Sequence, residues 1–413
     1  MRTGRALALL GCLLVYPRSG RAQDDDDYDL KAALRSSLVV AREPDDPLLF
    51  PERDDASSLW RLRLMADANP VDSLSLEAAY EQRVGLTSGS AALAGLGVLP
   101  SLAAAPYRIR QLDWSLVSTD GYQWRHEIDR LAVDYKASSV NLVVGRQAVG
   151  WGRGVMFSAV DLFAPFSPFE LDREWRRGID AARAEITFGP RLSADAVAAV
   201  GDSLDTSAFV GRIRGYRGEA DFELVGGWRA RDLVGGITSS AAVGDAELHG
   251  ELAVFRASDP LPAGGQFDSH VAIKALLGGS YRLAVGNGIL VVAEYHYSGF
   301  GAADARGILP LLANPAFVTR FARGDTQILG RHALALVATY EVSPELQVAL
   351  RWLQSPVDGS GVATPTATAT LSDRLAVLGA VFVPYGSTPA GMTLESEYGA
   401  TALTGFVQLQ ASY

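Results

Sequence analysis

A repeated alternation of apolar and polar residues constrains this sequence more than any other feature. The segment 246–255, AELHGELAVF, carries its apolar residues on one side of an extended strand and Glu247, His249 and Glu251 on the other. The segments 220–229 and 289–298 follow the same pattern. A soluble sandwich would show such alternation too, but strands of about 9–11 residues are also long enough to cross a membrane.

The connections between the strands favour the membrane. Eighteen strands are predicted, from 58–67 to 403–413, and the long gaps 148–178, 257–268, 299–330 and 384–402 all fall on one side. Short turns such as SDR and VSPE fall on the other side. We therefore predict an all-β fold, a transmembrane antiparallel β-barrel of about 16–18 strands in the cell outer membrane, with short periplasmic turns and long external loops.

One segment does not fit this order. Residues 85–106, GLTSGSAALAGLGVLPSLAAAP, form a long gap that falls on the predicted periplasmic side, before a predicted strand at 107–117. A plug, a helix or a missed pair of strands would each account for it. The exact strand number stays open for this reason.

The first residues predict secretion. Arg2 and Arg5 precede an apolar run, and small residues before Gln23 predict a signal peptide over 1–22. Cys12 follows Leu-Leu-Gly, so lipidation is a second reading of the same segment. Residues 23–57 are acidic and irregular, which predicts a periplasmic extension, and residues 58–413 are assigned to the barrel.

Composition excludes several classes of function. The single cysteine rules out a disulfide framework, and the net charge of −10 argues against nucleic-acid binding. The five histidines are dispersed, and there is no phosphate-binding loop or haem-attachment motif, so no metal or cofactor is expected.

The last strand, LTGFVQLQASY, turns one apolar face outward, and we expect outer-membrane lipid to cover it. The segment resembles the C-terminal targeting signal of bacterial outer-membrane proteins. That resemblance implies recognition by the barrel-assembly machinery. The family pattern most often ends in Phe, whereas Tyr413 stands here.

The segment 145–185, GRQAVGWGRGVMFSAVDLFAPFSPFELDREWRRGIDAARAE, is rich in aromatic residues and carries balanced charges. A loop of this length in a barrel implies a role. Its charges either set a transverse field that sorts solutes or hold the loop to the wall, and the two can coexist. The constriction candidates are Trp151, Arg153, Asp161, Glu170, Asp172, Arg173, Glu174, Arg176 and Arg177.

The motifs GRQ, WGRG and DLFAPF follow one another in this segment. In these motifs and their order, the segment resembles uncharacterised porin-like outer-membrane proteins of Gram-negative bacteria. The resemblance is confined to residues 145–185. It implies a long loop folded into the lumen, as the third loop of general porins is, and it leaves homo-oligomer formation open.

Charged residues on the polar faces of the strands are expected to line the lumen. Their mixed signs predict no strong ion preference. The candidates are Arg61, Arg63, Glu77, Glu81, Arg183, Glu247, Glu251, Lys274, Arg282, Glu294, His296 and Arg351.

The sequence supports three functions to different degrees. The first is a porin-like channel for passive diffusion of small polar solutes. The alternative is a barrel that acts as a structural sheath or assembly partner, for example around a periplasmic electron carrier. An enzyme would need Glu294, His296 and Ser298 to cooperate, but same-face neighbours on a strand lie about 7 Å apart, too far for the required hydrogen bonds.

Overall fold

The computed structural model describes residues 28–88 and 106–413. The predicted signal peptide and most of the segment 85–106 lie outside these residues. The described strands are β1 (Tyr28–Arg42), β2 (Asp54–Val71), β3 (Leu74–Thr87), β4 (Asp113–Thr119), β5 (Tyr122–Ala137), β6 (Val140–Gln147), β7 (Ile179–Thr187), β8 (Leu192–Ala199), β9 (Ala208–Arg217), β10 (Ala220–Arg229), β11 (Asp232–Val243), β12 (Ala246–Arg256), β13 (Val271–Leu283), β14 (Ile289–Ser298), β15 (His332–Ser343), β16 (Leu346–Gln354), β17 (Gly361–Ser372), β18 (Leu375–Tyr385) and β19 (Leu403–Ser412). Two short α-helices, α1 (Ile308–Leu312) and α2 (Pro315–Arg323), follow β14, and the 3-10 turns are Leu204–Thr206 and Ala305–Gly307.

The strands close into a ring. Each pairs antiparallel with its neighbours, and β19 pairs with β1 from Ala33↔Ser412 to Arg42↔Leu403. β3 pairs with β5, whereas β4 pairs only with β5, so 18 of the 19 described strands form the ring. Among the described residues, every strand of the ring is paired on both sides, which is the condition for a sheet to stand in a membrane. The predicted barrel fold is confirmed.

The outer wall is apolar and the inner face is mostly polar. On β19, Leu403 and Val407 are 47% and 51% exposed, whereas Thr404 and Gln408, which point inward, are 2% and 1% exposed. Large exposed apolar side chains recur on the outer face around the ring. Lipid is the environment in which such a wall is stable. Neither α1 nor α2 has the length and hydropathy needed to cross a membrane, and no other described helix does.

The two ends of the barrel differ as predicted. One end, here called the turn end, carries connections of at most five residues, such as 72–73, 138–139 and 284–288, and both Tyr28 and Ser412 lie there. The other end, the loop end, carries the long connections 43–53, 148–178, 257–270, 299–331 and 386–402.

The start of the barrel differs from the sequence prediction. Tyr28–Arg42, placed within an irregular extension over 23–57, forms β1 and closes the ring. Its inward face mixes Arg35 and Ser37 with Val39, so the alternation is weak, and acidic runs on both sides obscure it.

The segment after β3 also needs correction. Thr87 pairs with Ser57, beside the connection 43–53, so the connection that follows β3 leaves from the loop end and not from the periplasmic side. The strand predicted at 107–117 corresponds to β4, which pairs with residues 122–127 of β5. β6 reaches only residues 131–137 of β5, so β4 occupies the edge that β6 leaves uncovered. The sequence prediction includes β4, which lies outside the ring, and omits β1, which belongs to it. Its number of strands therefore equals that of the ring, although its first strand is wrong.

Candidate functional site

Residues 148–178, here called the lumen loop, fold into the barrel. The loop leaves β6 at Gln147 and returns at Ile179, and Trp151, Phe157 and Phe163 within it are at most 4% exposed. These side chains pack on apolar inward residues of the wall. The rings of Trp151 and Phe163 pack edge to face, with their centroids 5.3 Å apart. Burial of this apolar body explains why so long a segment is held inside.

Glu251 on β12 holds one side of the lumen loop. Its carboxylate accepts hydrogen bonds from the backbone N–H groups of Arg153, Gly154 (3.1 Å), Ala159 (2.6 Å) and Val160 (3.2 Å), and from the Ser158 hydroxyl (2.8 Å). The loop therefore wraps its amide groups around one buried anion, an arrangement in which each hydrogen bond is charge-assisted.

Glu294 on β14 does the same for the next residues. It accepts from the backbone N–H groups of Val155 (2.5 Å), Met156 (2.9 Å) and Phe157 (3.2 Å), and it lies 3.2 Å from His249 Nε2. His296 stacks on the Phe157 ring at 4.9 Å. The polar face of β14 thus positions the lumen loop.

Replacing Glu251 with glutamine should loosen the lumen loop. The amide keeps the shape but loses the charge, and hydrogen bonds to charged groups contribute about 1.5–3 kcal/mol each. Because about 1.4 kcal/mol corresponds to a factor of ten, we expect tryptic cleavage within the loop to become at least about tenfold faster in the purified barrel. Glu247→Gln, on the same face of β12, is the matched control, and equal cleavage rates in the two variants would contradict the anchoring role.

The opposite side of the lumen loop contacts β1 and β2. Asp172 pairs with Arg35 and lies 3.5 Å from Arg61, and Glu174 also pairs with Arg35. The Trp175 ring lies 3.9 Å from the Arg35 guanidinium carbon. β12 is nine strands from β2 in the 18-strand ring (β3, β5, β6, β7, β8, β9, β10, β11, β12), so the loop spans the full diameter of the barrel.

A buried network of ion pairs lines the wall beside this contact. Glu81 accepts from Arg61 (2.9 Å), Arg63 (3.1 Å) and Arg83 (2.5 Å). Asp129 extends the network, because it lies 2.8 Å from Arg63. The inward arginines of β2 and β3 are therefore neutralised by acids of the wall, and each pair also satisfies buried hydrogen-bonding groups.

A second connection, 299–331, covers the lumen loop from the loop end. Its Asp325 is fully buried and pairs with Arg229, Arg320 (3.0 Å) and Arg323 (2.5 Å). Although burial alone would raise the pKa of Asp325, the Arg229 and Arg323 guanidiniums hold it well below its usual range. Arg229 Nε also donates to the Leu162 carbonyl at 2.7 Å, which joins the two connections.

The predicted constriction residues all lie in the lumen loop, and most of them pair with the wall or with each other. Arg153 pairs with Asp221 and Glu223, both at 2.8 Å, Arg176 pairs with Asp161 at 2.5 Å, and Arg177 approaches Glu127 at 3.8 Å. These contacts match the anchoring interpretation of the loop charges. The transverse field stays a prediction.

The predicted lumen-lining residues lie on the inward side of their strands, and their role in solute passage stays a prediction. Those at most 4% exposed are Arg61, Arg63, Glu81, Glu251, Lys274, Glu294 and His296. Arg183 pairs with Asp195 at 2.8 Å. Glu77, Glu247, Arg282 and Arg351 are less buried.

Sequence reasoning missed several residues of the site. The residues that were not predicted are Arg35, Arg83, Glu127, Asp129 and Glu223 of the wall, Arg108 before β4, and Asp325 of the connection 299–331. The polar-face alternation that singled out Glu81 applies equally to Arg83, Glu127 and Glu223, so the signal was present for these three. No local pattern marks Asp325.

Comparison with known proteins places this architecture among solved structures. No protein-family model matches the sequence, and no curated protein is similar enough to count as a match. OccAB1 and OccAB4 of Acinetobacter baumannii have TM-scores of 0.55 and 0.53 at 10% and 12% identity, covering 94% and 95% of this chain and 96% and 98% of theirs. The outer membrane protein OpdK of Pseudomonas aeruginosa has a TM-score of 0.50 at 12% identity, over 93% of this chain and 98% of its own. At these identities the likeness concerns the fold, and the chain has the closed β-barrel fold of the outer-membrane porins.

Proposed function

We propose that this chain is an outer-membrane channel for the passive diffusion of small polar solutes, constricted by the lumen loop. One observation carries the proposal: the lumen of a lipid-facing barrel is crossed, from β2 to β12, by a single loop held to the wall on both sides. A ring of 18 strands encloses space for an aqueous channel unless that space is filled.

The electrostatics of the lumen support solutes of modest charge. Arg61, Arg63 and Arg83 share the carboxylates of Glu81, Glu127 and Asp129, and Arg153 pairs with Asp221 and Glu223. Along β15–β19 the inward side chains are mostly small, apolar or hydroxyl-bearing, among them Ala333, Ala335, Thr364 and Thr404. Arg351 of β16 is a charged exception on this part of the wall. Mostly paired charges beside a largely uncharged wall favour polar solutes over a strongly selected ion.

The structural-sheath alternative has less support. A protein partner inside the barrel would need the space that the lumen loop and the connection 299–331 occupy. Recognition by the assembly machinery and formation of homo-oligomers stay predictions. Neither of them distinguishes a channel from a structural sheath.

Reconstitution in planar bilayers tests the proposal. The purified barrel should insert as stable ohmic current steps, with reversal potentials in a salt gradient that indicate weak ion selectivity. Heat-denatured protein in the same detergent is the control. Silence of folded barrels whose insertion is shown independently would refute the channel, and current that appears only with a periplasmic partner would favour the sheath.

A further inference from the structure

One carboxyl group joins three connections at the loop end of the barrel. Glu397 lies in the connection 386–402, and its Oε1 accepts a hydrogen bond from the backbone N–H of Gly330, in the connection 299–331, at 2.9 Å. Its own backbone N–H donates to Oδ2 of Asp358, between β16 and β17, at 2.7 Å. These three residues are here called the loop-end junction. The contact between the two long connections at this point therefore depends on one side chain.

The loop-end junction contains two acids and no cation. Asp358 has hydrogen bonds of its own, because its Oδ1 accepts from the backbone N–H and the hydroxyl of Ser360 at 2.9 and 2.6 Å. Among the described residues, Glu397 pairs with no cationic side chain, whereas the nearby Glu395 pairs with Arg306 at 3.5 Å. An ionised Glu397 would therefore carry its charge beside the Asp358 carboxylate without a cation, and like charges repel.

The remaining groups around the Glu397 carboxyl do not supply a positive charge. The hydroxyl groups of Ser355 and Tyr398 face it, and both are neutral. Arg331 lies at the end of the connection 299–331, but its guanidinium donates to two backbone carbonyl oxygens, at 3.2 and 3.0 Å. The charge state of the Glu397 carboxyl is therefore set by its burial and by Asp358.

The connections that meet at the loop-end junction also contact the lumen loop. Tyr398, next in the chain, is 5% exposed, and its ring packs edge to face on that of Phe169, with the centroids 6.2 Å apart. In the connection 299–331, the Gln327 side-chain amide donates to the Phe166 carbonyl oxygen at 2.8 Å. A separation of the two connections at the junction would therefore loosen the cover over the lumen loop.

We propose that the loop-end junction is a pH-sensitive switch, in which protonated Glu397 holds the connections 299–331 and 386–402 together and ionised Glu397 lets them separate. A neutral carboxyl keeps the hydrogen bond from Gly330 without bringing a second charge next to Asp358. The effect on solute passage rests on the proposed channel function, whereas the separation of the two connections does not.

The direction of the pH response follows from the environment of the carboxyl. Burial raises the pKa of Glu397 to about 7; the Gly330 amide opposes the rise, and the Asp358 carboxylate adds to it. Once the connections separate, water surrounds the carboxyl and its pKa returns to the ordinary value of 4.5. The joined form binds more protons, so its stability is full below pH 4.5 and is lost as the pH rises to about 7.

Amide hydrogen exchange of the full barrel in detergent tests the switch without current measurements. In the parent, protection of the Gly330 and Glu397 amides should fall at least about tenfold between about pH 5 and about pH 8, after correction for the intrinsic exchange rate. Glu397→Gln should keep its protection across this range, because the glutamine side chain stays neutral. Heat-modifiable gel mobility verifies that each variant is folded.

Two controls assign the response to this carboxyl. Glu395→Gln changes an acid of the same connection that pairs with Arg306, and it should respond to pH as the parent does. Glu43→Gln should also keep the response, although burial, and secondarily Asp55, raise the pKa of Glu43 to about 7 as well. A response that persists in Glu397→Gln, or that disappears in Glu43→Gln, would overturn the proposal.

Current recordings separate the switch from the channel. In a conducting barrel, conductance should be higher at about pH 8 than at about pH 5 on the loop-end side, and this difference should be absent in Glu397→Gln. Protection that depends on pH in barrels that carry no current would support the switch and refute the channel. Current in barrels whose protection does not depend on pH would support the channel and refute the switch.

Discussion

Replacing residues 155–170 with a short Gly-Ser linker should raise single-channel conductance severalfold. The replacement removes the amide groups that bind Glu294 and two of the four that bind Glu251, together with the buried Phe157 and Phe163 rings. The 18-strand wall that remains would enclose a wider aqueous path. Conductance in planar bilayers, compared at the same salt concentration, measures the effect.

The control is a replacement at the loop end of the barrel that leaves the lumen loop unchanged. Replacing residues 388–393, which lie in the largely exposed part of the connection 386–402, should leave conductance close to that of the parent. If the 155–170 replacement conducts no better than this control, the lumen loop does not set the constriction.

A proline at Val40 should prevent stable closure of the barrel. Val40 lies in β1 and pairs with both Ala56 of β2 and Gly405 of β19, and its side chain is 52% exposed, so little inward packing is lost. Proline in a paired strand removes a ladder hydrogen bond and is tolerated mainly at sheet edges, and its cost in regular structure can reach about 3 kcal/mol. We expect most of the protein to lose its heat-modifiable folded form in detergent gels.

Val357→Pro is the matched control. Val357 is 50% exposed and lies in the connection 355–360, outside the ring. The two variants therefore make the same substitution at equal exposure, and only one of them lies in a strand paired on both edges. Comparable folded fractions would show that β1 is not needed for closure.

The sequence predicts most of the wall because the signal for a barrel strand is local. Leu248 and Leu252 face outward and His249 and Glu251 face inward, as the alternation in β12 indicates. β1 is the exception, because Ala33 and Val39 share its inward face with Arg35 and Ser37, so neither side is uniformly apolar or polar. β4 has strand-forming residues but pairs with only one neighbour. A local sequence pattern cannot distinguish such a strand from one that belongs to the ring.

The candidate site also has one part that the local sequence predicts and another part that it does not. The lumen loop is recognisable because its aromatic residues, glycines and charges occur in one continuous segment. Its anchors depend on ring geometry, since Ser158 and Glu251 are 93 residues apart and Arg61 and Asp172 are 111 apart. Such pairs become predictable only when the register and the number of strands are known.

The fastening of one segment to both β2 and β12 has a mechanical consequence. A thin-walled cylinder under lateral pressure deforms most easily into an ellipse, and a tie across its diameter opposes that mode along the direction it spans. Asp172 with Arg35 and Arg61 on one wall, and Glu251 on the other, form the two fixings of such a tie. Because one diameter of a ring lengthens as the perpendicular one shortens, the tie opposes change along both, and the cross-section should deform most easily along the diagonals between them.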